Sequence, residues 1–199
     1  MKVIVVGGTG TIGKAVVQEL SQRHEVITAG KSRGDVQVDI TSTESIKNLF
    51  EQVGDFDALV STTGNVHFGA FEEMDESHYY TGIQSKLMGQ VNLVLIGRKY
   101  INDSGSFTLT SGILSHDPIR FGSSASMVNG AIDGFVIGAA IEMKRGVRLN
   151  AVSPGVVEES MEAIGSYFRG HEPVPVSRVA LAYSKSVEGL LNGQIFSVI

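Results

Sequence analysis

The sequence of 199 residues predicts a doubly wound α/β fold, a parallel sheet of about seven strands with helices on both faces. Three observations carry this expectation. Short apolar runs rich in Val and Ile, of the kind that strands buried on both faces require, alternate with amphipathic stretches from end to end. The first run leads directly into a glycine-dense turn and then a helix. No linker, repeat or low-complexity tract divides the chain, so residues 1–199 are expected to form one domain.

The elements follow in order. Residues 3–6 (VIVV) read as the first strand. Gly8-Thr9-Gly10-Thr11-Ile12-Gly13 spells G-x-G-x-x-G, and an amphipathic helix over 14–22 follows. In this order the glycines have physical work. They permit a tight turn, a close approach of backbone to a pyrophosphate and close packing of helix on strand, while the helix N-terminus offers free N–H groups to phosphate. Residues 25–29 (EVITA) and 36–38 are strands two and three. A helix over 43–53 is capped by Thr41 or Ser42, with Glu44 in its first turn. Strand four spans 57–61 (DALVS), and residues 76–100 are helical with a break near Gly89. Strand five covers 106–110 (SFTLT). A long Gly- and Ala-rich helix over 123–144 must pack closely against a neighbour. Strand six covers 147–152 (VRLNAV) and is stopped by Pro154-Gly155. Helices over 158–168 and 176–191 precede a last strand at 194–198, and residues 170–175, with two prolines, form a loop suited to a lid.

Composition narrows the partners. Apolar residues make up 42% and charged residues 19%, a globular balance. Net charge is −5 with no basic tail, which argues against nucleic acid as a partner. There is no cysteine, and so no disulfide, thiol nucleophile or thiolate metal site. The sequence opens on a strand with no signal-peptide pattern, and no apolar run is long enough to span a bilayer, so a cytoplasmic location is expected. His24, His78 and His171 lack metal-ligand spacing, and no metal is expected. Glu72-Glu73 and Glu158-Glu159 read as solvated helix starts.

Five stretches carry a resemblance that covers nearly the whole chain: Gly7-Gly8-Thr9-Gly10-Thr11-Ile12-Gly13, Val38-Asp39-Ile40-Thr41, Leu59-Val60-Ser61-Thr62-Thr63-Gly64, Leu109-Thr110-Ser111-Gly112 and the segment from Arg145 to Gly155. Together they resemble the short-chain dehydrogenase/reductase family, whose Rossmann-type domain binds NAD(P) and moves hydride between nicotinamide and a carbonyl or alcohol. The connection between strands two and three is too short for the usual crossover helix, and the sequence reaches its last strand without the family's usual C-terminal extension, so it reads as a trimmed member.

The resemblance assigns Gly7, Gly8, Thr9, Gly10, Thr11, Ile12 and Gly13 to the pyrophosphate, Asp39 and Ile40 to the adenine, and Thr62, Thr63 and Gly64 to the cofactor's middle. Pro154, Gly155 and Val157 fall to the nicotinamide, the last through its backbone. Asp39 equally suits a turn or helix cap. Where strand two ends, an acid would favour NAD and a cation the 2′-phosphate of NADP. Here Lys31-Ser32-Arg33 follow Gly30 and no acid appears before Asp35, so NADP(H) is expected over NAD(H), the alternative being a solvated loop.

The catalytic pattern departs from the family. Its Tyr and Lys positions fall on Ala125 and Asn129, or with a shifted alignment on Ser123 and Met127, and its Asn position falls near Ser85. Only Ser111 survives. Lys86, beside the missing Asn, is a candidate to replace the lost Lys, or else a surface lysine. His116, on the loop after strand five, and His67, on the loop after strand four, are candidate acids or simple loop residues. Asn129 can still bond to a ribose hydroxyl. Ser160 can cap the next helix or meet phosphate. The expected reaction is hydride transfer between NADP(H) and a small carbonyl or alcohol through an atypical proton relay. The alternative is an NADP(H)-binding sensor or regulatory protein without chemistry. Family members associate through the helices after strands four and five, so a homodimer or homotetramer is expected. No membrane partner is expected.

Overall fold

The computed structural model describes residues 1–199. β1 (Lys2–Val6) runs into α1 (Thr11–Leu20), followed by β2 (Glu25–Gly30), β3 (Val36–Gln37), α2 (Thr43–Val53) and β4 (Phe56–Ser61). α3 (Glu76–Gly82), a π-helical turn (Ile83–Leu87) and α4 (Met88–Gly97) lead to β5 (Ile101–Thr110). α5 (Ser123–Ala140), β6 (Arg148–Pro154), α6 (Met161–Ile164), α7 (Val176–Glu188) and β7 (Ile195–Val198) complete the order. All seven strands pair in parallel as β3-β2-β1-β4-β5-β6-β7. The direction of winding reverses between β1 and β4. In open α/β sheets the crevice beyond the strand ends at that reversal is where ligands bind.

Strand period 2 sorts the core into two layers. Val3 and Val5 face Val16 and Leu20 of α1 and Val179, Tyr183 and Val187 of α7. Ile4 and Val6 face the opposite layer, with Ile46, Leu49 and Phe50 of α2, Leu93 and Val94 of α4, and Ile132 and Val136 of α5. Each such side chain contributes about 1.5–3 kcal/mol through burial. A third cluster, Ile113, Leu114, Ala125, Val156 and Phe168, sits under the loops after β5 and β6.

Several boundaries differ from the sequence expectation. The break in the helical stretch after β4 lies at Ile83–Leu87, before Gly89, and takes the form of a π turn. β5 begins at Ile101, five residues early, because Phe56 pairs Ile101 and Ala58 pairs Ser106 across a bulge that a period-2 pattern does not reveal. α5 stops at Ala140, and the positive φ of Arg145 (60°) and Gly146 (70°) turns the chain into β6. The helix expected over 158–168 is three short turns, pinned where Val157 bridges Val174. Glu158 and Glu159 stand exposed in the first of these turns, as expected for solvated helix starts, and Glu159 has a second role. Both its carboxylate oxygens accept from Val176 N–H at 3.1 Å, capping α7, whose N-cap Pro175 offers no side-chain acceptor. Ser42 caps α2 by accepting from Ser45 N–H at 3.2 Å, which leaves Thr41 free to bond to Asp39.

β2 and β3 pair in parallel across only residues 31–35. Asp35 makes this possible, since its carboxylate accepts from the Thr28 N–H (2.8 Å) and hydroxyl (2.7 Å) and folds the loop back on β2.

Candidate functional site

The glycine turn stands at the β1 edge of the switch point. The Gly7 N–H donates to Ala29 O at 2.8 Å and Gly10 N–H to Gly7 O at 2.9 Å, closing the turn. A Cβ on Gly13 would collide with the Gly7 carbonyl oxygen, so only glycine lets α1 start this close to β1. α1 has Gly10 at its N-cap and no side-chain cap, which leaves its first amides open to an external acceptor. Ile12 is half-buried against the core layer beneath α1.

Next to the turn lies a cavity of about 250 Å³ lined by Gly30, Lys31, Asp39, Ile40, Thr63 and Gly64, among others. Asp39 is engaged on both oxygens: Oδ1 accepts from the Thr41 N–H (3.0 Å) and hydroxyl (2.7 Å), and Oδ2 meets Lys31 Nζ at 2.8 Å. The Lys31 ammonium, then the Thr41 donors, hold the Asp39 carboxyl down at about 2. Asp39 thus fills the turn role while its carboxylate still lines the cavity. Ser32 and Arg33 are exposed, and neither side chain has a protein partner. The acid nearest the end of β2, Asp35, is committed to Thr28. A dinucleotide therefore fits the groups present: a glycine cradle that a side chain would fill, open helical amides, and a cavity with a cation at its rim.

The other half of the crevice is built around Lys86. The π turn carries Ser85 and Lys86 toward the ends of β4 and β5. Ser85 Oγ accepts from Asn65 N–H at 3.0 Å. Gly64, with φ 125°, lies against the Lys86 backbone, where any Cβ would clash. Lys86 is partly buried and donates from Nζ to the Ser111 carbonyl at 2.8 Å. Loss of water lowers its ammonium to about 8, with the Asp133 charge acting in the opposite direction. It is therefore no surface lysine. Gln90, fully buried one turn further, clamps the Thr110 peptide by giving Nε2–H to Thr110 O (2.9 Å) and taking Thr110 N–H (2.8 Å).

Ser111 is 1% exposed, and its hydroxyl has no partner. Asn129, at the position the resemblance gives to Lys, is 2% exposed, and its Oδ1 is unpartnered. Ser111 and Asn129 are thus two buried polar groups, at the end of β5 and on α5, whose hydrogen-bonding capacity the protein itself leaves unused. Ala125 is buried and carries no acid. The Val157 N–H donates to no protein acceptor, as a carboxamide-binding amide would, whereas the Gly155 N–H is spent on Val198 O at 2.8 Å. Pro154 ends β6 opposite Val198 and makes no polar contact of its own.

His116 reaches the site from the loop after β5, its Nε2 3.8 Å from Asp133 Oδ2, with its side chain 65% exposed. Asp133 is buried on α5, one turn beyond Asn129, and Oδ2 accepts from Ser115 Oγ at 2.9 Å. Neither Asp133 nor Ser115 was singled out in the sequence. The available signal was the i, i+4 spacing of Asn129 and Asp133 on a helix otherwise free of polar bulk. Tyr79 was missed as well: its hydroxyl shares a hydrogen bond with Ser123 Oγ at 3.0 Å, bringing a phenol from α3 to the start of α5. His67 lies instead against the His78 ring (centroids 4.3 Å apart), and His78 belongs to the Asp75 capping box of α3. Ser160 stands at the N-cap of α6 without a side-chain cap bond. His24 pairs with Glu188 at 2.9 Å and His171 with Asp117 at 3.4 Å.

No helix is long and apolar enough to cross a membrane. A family model described as enoyl-(acyl carrier protein) reductase matches residues 4–180. An uncharacterized oxidoreductase of Methylorubrum extorquens is 29% identical over 148 residues, which cover 71% of this chain and 60% of that protein's length. Among solved structures, the protein lin1944 from Listeria innocua superposes with a TM-score of 0.99 at 50% identity, each chain covered in full. A small-chain dehydrogenase in complex with NADPH superposes with a TM-score of 0.88 at 26% identity, covering 100% of this chain and 96% of that one.

Proposed function

Because this chain belongs to the short-chain dehydrogenase/reductase family, we propose that it is an oxidoreductase moving hydride between NADP(H) and a small carbonyl or alcohol, with Lys86 standing in for the family's missing Tyr and Lys. The observation that carries this reading is the Lys86 ammonium at 2.8 Å from the Ser111 carbonyl, lowered to about 8. Such a group can give up a proton near neutral pH, as a general acid must.

Pyrophosphate would lie on the turn from Gly7 to Gly13 and the open amides of α1. Adenine would enter the cavity of Ile40 and Asp39, and a ribose 2′-phosphate would meet Lys31, Ser32 and Arg33. Lys31 can turn from Asp39 to the phosphate, because both partners are solvent-accessible and such pairs are weak. Thr62, Thr63 and Gly64 flank the middle, and Asn129 holds the nicotinamide ribose. The Pro154 strand end and the Val157 N–H hold the carboxamide. The complex of a similar dehydrogenase with NADPH supports this choice of cofactor. When bound, the nicotinamide supplies or accepts the hydride. The chain's own residues do the rest. The Ser111 hydroxyl donates to the substrate oxygen and polarises the carbonyl, and Lys86 gives that oxygen its proton. Ile113, Leu114, Val156 and Phe168 keep water from the reacting carbon.

Titration of the purified protein with NADPH and with NADH, read by cofactor fluorescence, tests the first half. A carbonyl panel with NADPH tests the second. Preference for NADH overturns the loop assignment. NADPH binding without turnover on any carbonyl favours the sensor reading, for which Ala125 at the acid's usual place is the specific support.

The chain is read as one cytoplasmic domain that associates as a homodimer or homotetramer. Leu95 on α4 and Met127 and Ile137 on α5 are exposed, next to Gly130, Gly134 and Gly138, where added side chains would meet open space. A light-scattering mass of a monomer would refute the association.

A further inference from the structure

We propose that Phe168 is the gate of the substrate recess: its ring fills the place of the substrate's own apolar group until that group displaces it, so the substrate is a carbonyl or alcohol carrying a flat apolar group of phenyl size. This rests on the reading of the crevice beyond Ser111 as the substrate site.

The recess belongs to the crevice and not to the layers of the sheet. Ile113 and Leu114 closely follow Ser111, Ala125 lies one helical turn before Asn129, and Val156 directly precedes Val157. These four apolar side chains form a buried cluster with one further buried residue, Phe168, at 7% exposure. Ala125 contributes only a methyl group, and the Phe168 ring completes the packing. Beside it lies a cavity of about 340 Å³, lined by Ile113, Asp117, Val156, Gly170 and His171 among others.

The segment that carries Phe168 is fastened in a way that lets it open. Residues 158–173 form a loop whose ends are closed by the Val157–Val174 bridge, with the Glu158 N–H on Val174 O at 2.9 Å and the Val174 N–H on Val156 O at 3.0 Å. Between those ends Phe168 is the only buried residue. The backbone hydrogen bonds around it are local: its N–H donates to Gly165 O at 3.1 Å, and the His171 N–H donates to Phe168 O at 3.1 Å. Side chains hold the middle of the loop to the body. Tyr167 meets Phe121 edge-on at 6.1 Å, His171 Nδ1 stands 3.4 Å from Asp117 Oδ2, and His171 also packs edge-on against the Phe168 ring at 5.4 Å. Met161 packs, partly buried, against the same cluster. Gly170, with φ 92° and open space where a side chain would stand, is a hinge position. A segment with so few buried contacts and no backbone bonds from its middle to the body opens at low cost.

When the loop opens, the substrate's ring packs against Ile113, Leu114, Ala125 and Val156. It then keeps water from the reacting carbon, as Phe168 does in the empty protein. A flat apolar group recovers the contacts that Phe168 gives up. A charged group does not, because the cluster holds no charged side chain.

The chain contains no tryptophan, so Phe168→Trp makes the gate its own fluorescent reporter. The probe is benzyl alcohol, added to the full chain without cofactor. The empty Phe168→Trp protein should emit to the blue and resist quenching by acrylamide. Saturating benzyl alcohol should move the emission to the red and expose it to the quencher, and an equal concentration of ethanol should do neither. By calorimetry, Phe168→Ala should bind benzyl alcohol about tenfold more tightly than the native protein, because no ring has to be displaced. Far-UV spectra check that both variants are folded. An emission that is water-exposed from the start, one that benzyl alcohol leaves in place, one that ethanol moves equally, or equal affinities of the native and Phe168→Ala proteins would each overturn the gate. If Phe168 were only a packing residue, Phe168→Ala would lose stability while the Phe168→Trp emission stayed unmoved. None of these readouts needs turnover. A carbonyl panel without activity would sink the proposed reaction and leave the gate standing, and an active panel with an unmoved reporter would sink the gate alone.

Discussion

Replacing Lys86 with methionine should stabilise the protein at neutral pH while abolishing turnover. The Lys86 ammonium drops from 10.5 to about 8 on folding, mostly through desolvation. That difference means the folded state disfavours the charge by about 3 kcal/mol at neutral pH. The sign follows from proton counting. Between the two midpoints the unfolded chain holds a proton that the native state has released, so stability rises with pH across that window. The penalty stands in full below 8 and fades as pH approaches 10.5. Methionine fills similar volume without a charge, but leaves the Ser111 carbonyl without the bond from Nζ, which costs about 1–2 kcal/mol. The net expectation at pH 7 is that Lys86→Met is more stable by about 1–2 kcal/mol. By about pH 10 the residual penalty on lysine is about 1 kcal/mol, so the advantage should shrink by about 2 kcal/mol and vanish. Urea unfolding of both proteins at pH 7, 8.5 and 10, with equal m-values, measures this directly. A variant less stable at pH 7, or a difference that does not change with pH, would refute the claim that Lys86 is held charged against its surroundings. A stabilising change that removes function would mark Lys86 as strain kept for activity.

Other outcomes test separate parts of the structure. Gly13→Ala should abolish NADPH binding, because the new Cβ meets the Gly7 carbonyl and displaces the start of α1; a far-UV spectrum separates this from unfolding. The double change Lys31→Ala with Arg33→Ala should weaken NADPH binding by about tenfold or more and leave NADH within about twofold, since only the 2′-phosphate meets these cations; equal losses for both cofactors would count against the loop assignment. Tyr183→Phe should cost about 1 kcal/mol, because the buried hydroxyl, shifted strongly upward by burial, shares a 2.6 Å hydrogen bond with Thr110 Oγ1. Thermal unfolding would show it, and a neutral result would imply that Thr110 is satisfied by Ser61 alone.

How much of this was legible in the chain depends on the range of the interactions involved. The fold class and the glycine turn were readable because each is written locally, whereas the strand order, with its reversal between β1 and β4, came from the tertiary structure. Val3 to Val6 must be buried on both faces, and Gly13 is needed within one turn of Gly7. Ser42 and Asp39 were readable for the same reason, as their partners lie two or three residues away. The bulge that lengthens β5, the bridge that breaks the helix after β6 and the Glu159 cap on α7 were not, since each depends on a neighbour far along the chain.

The sequence alone determined the glycine turn after the first strand and the absence of any Tyr or Lys between Phe121 and Met143. Only the tertiary structure decided which side chains gather at the ends of β4 and β5. Lys86 meets the Ser111 carbonyl 25 residues away because a π turn and Gly64 aim it there. Asp133 meets His116 and Ser115 because α5 folds back over the loop after β5. Charge is read from composition, but its chemistry comes from desolvation. Burial is a property of the packed sheet and helices together, and no single segment encodes it.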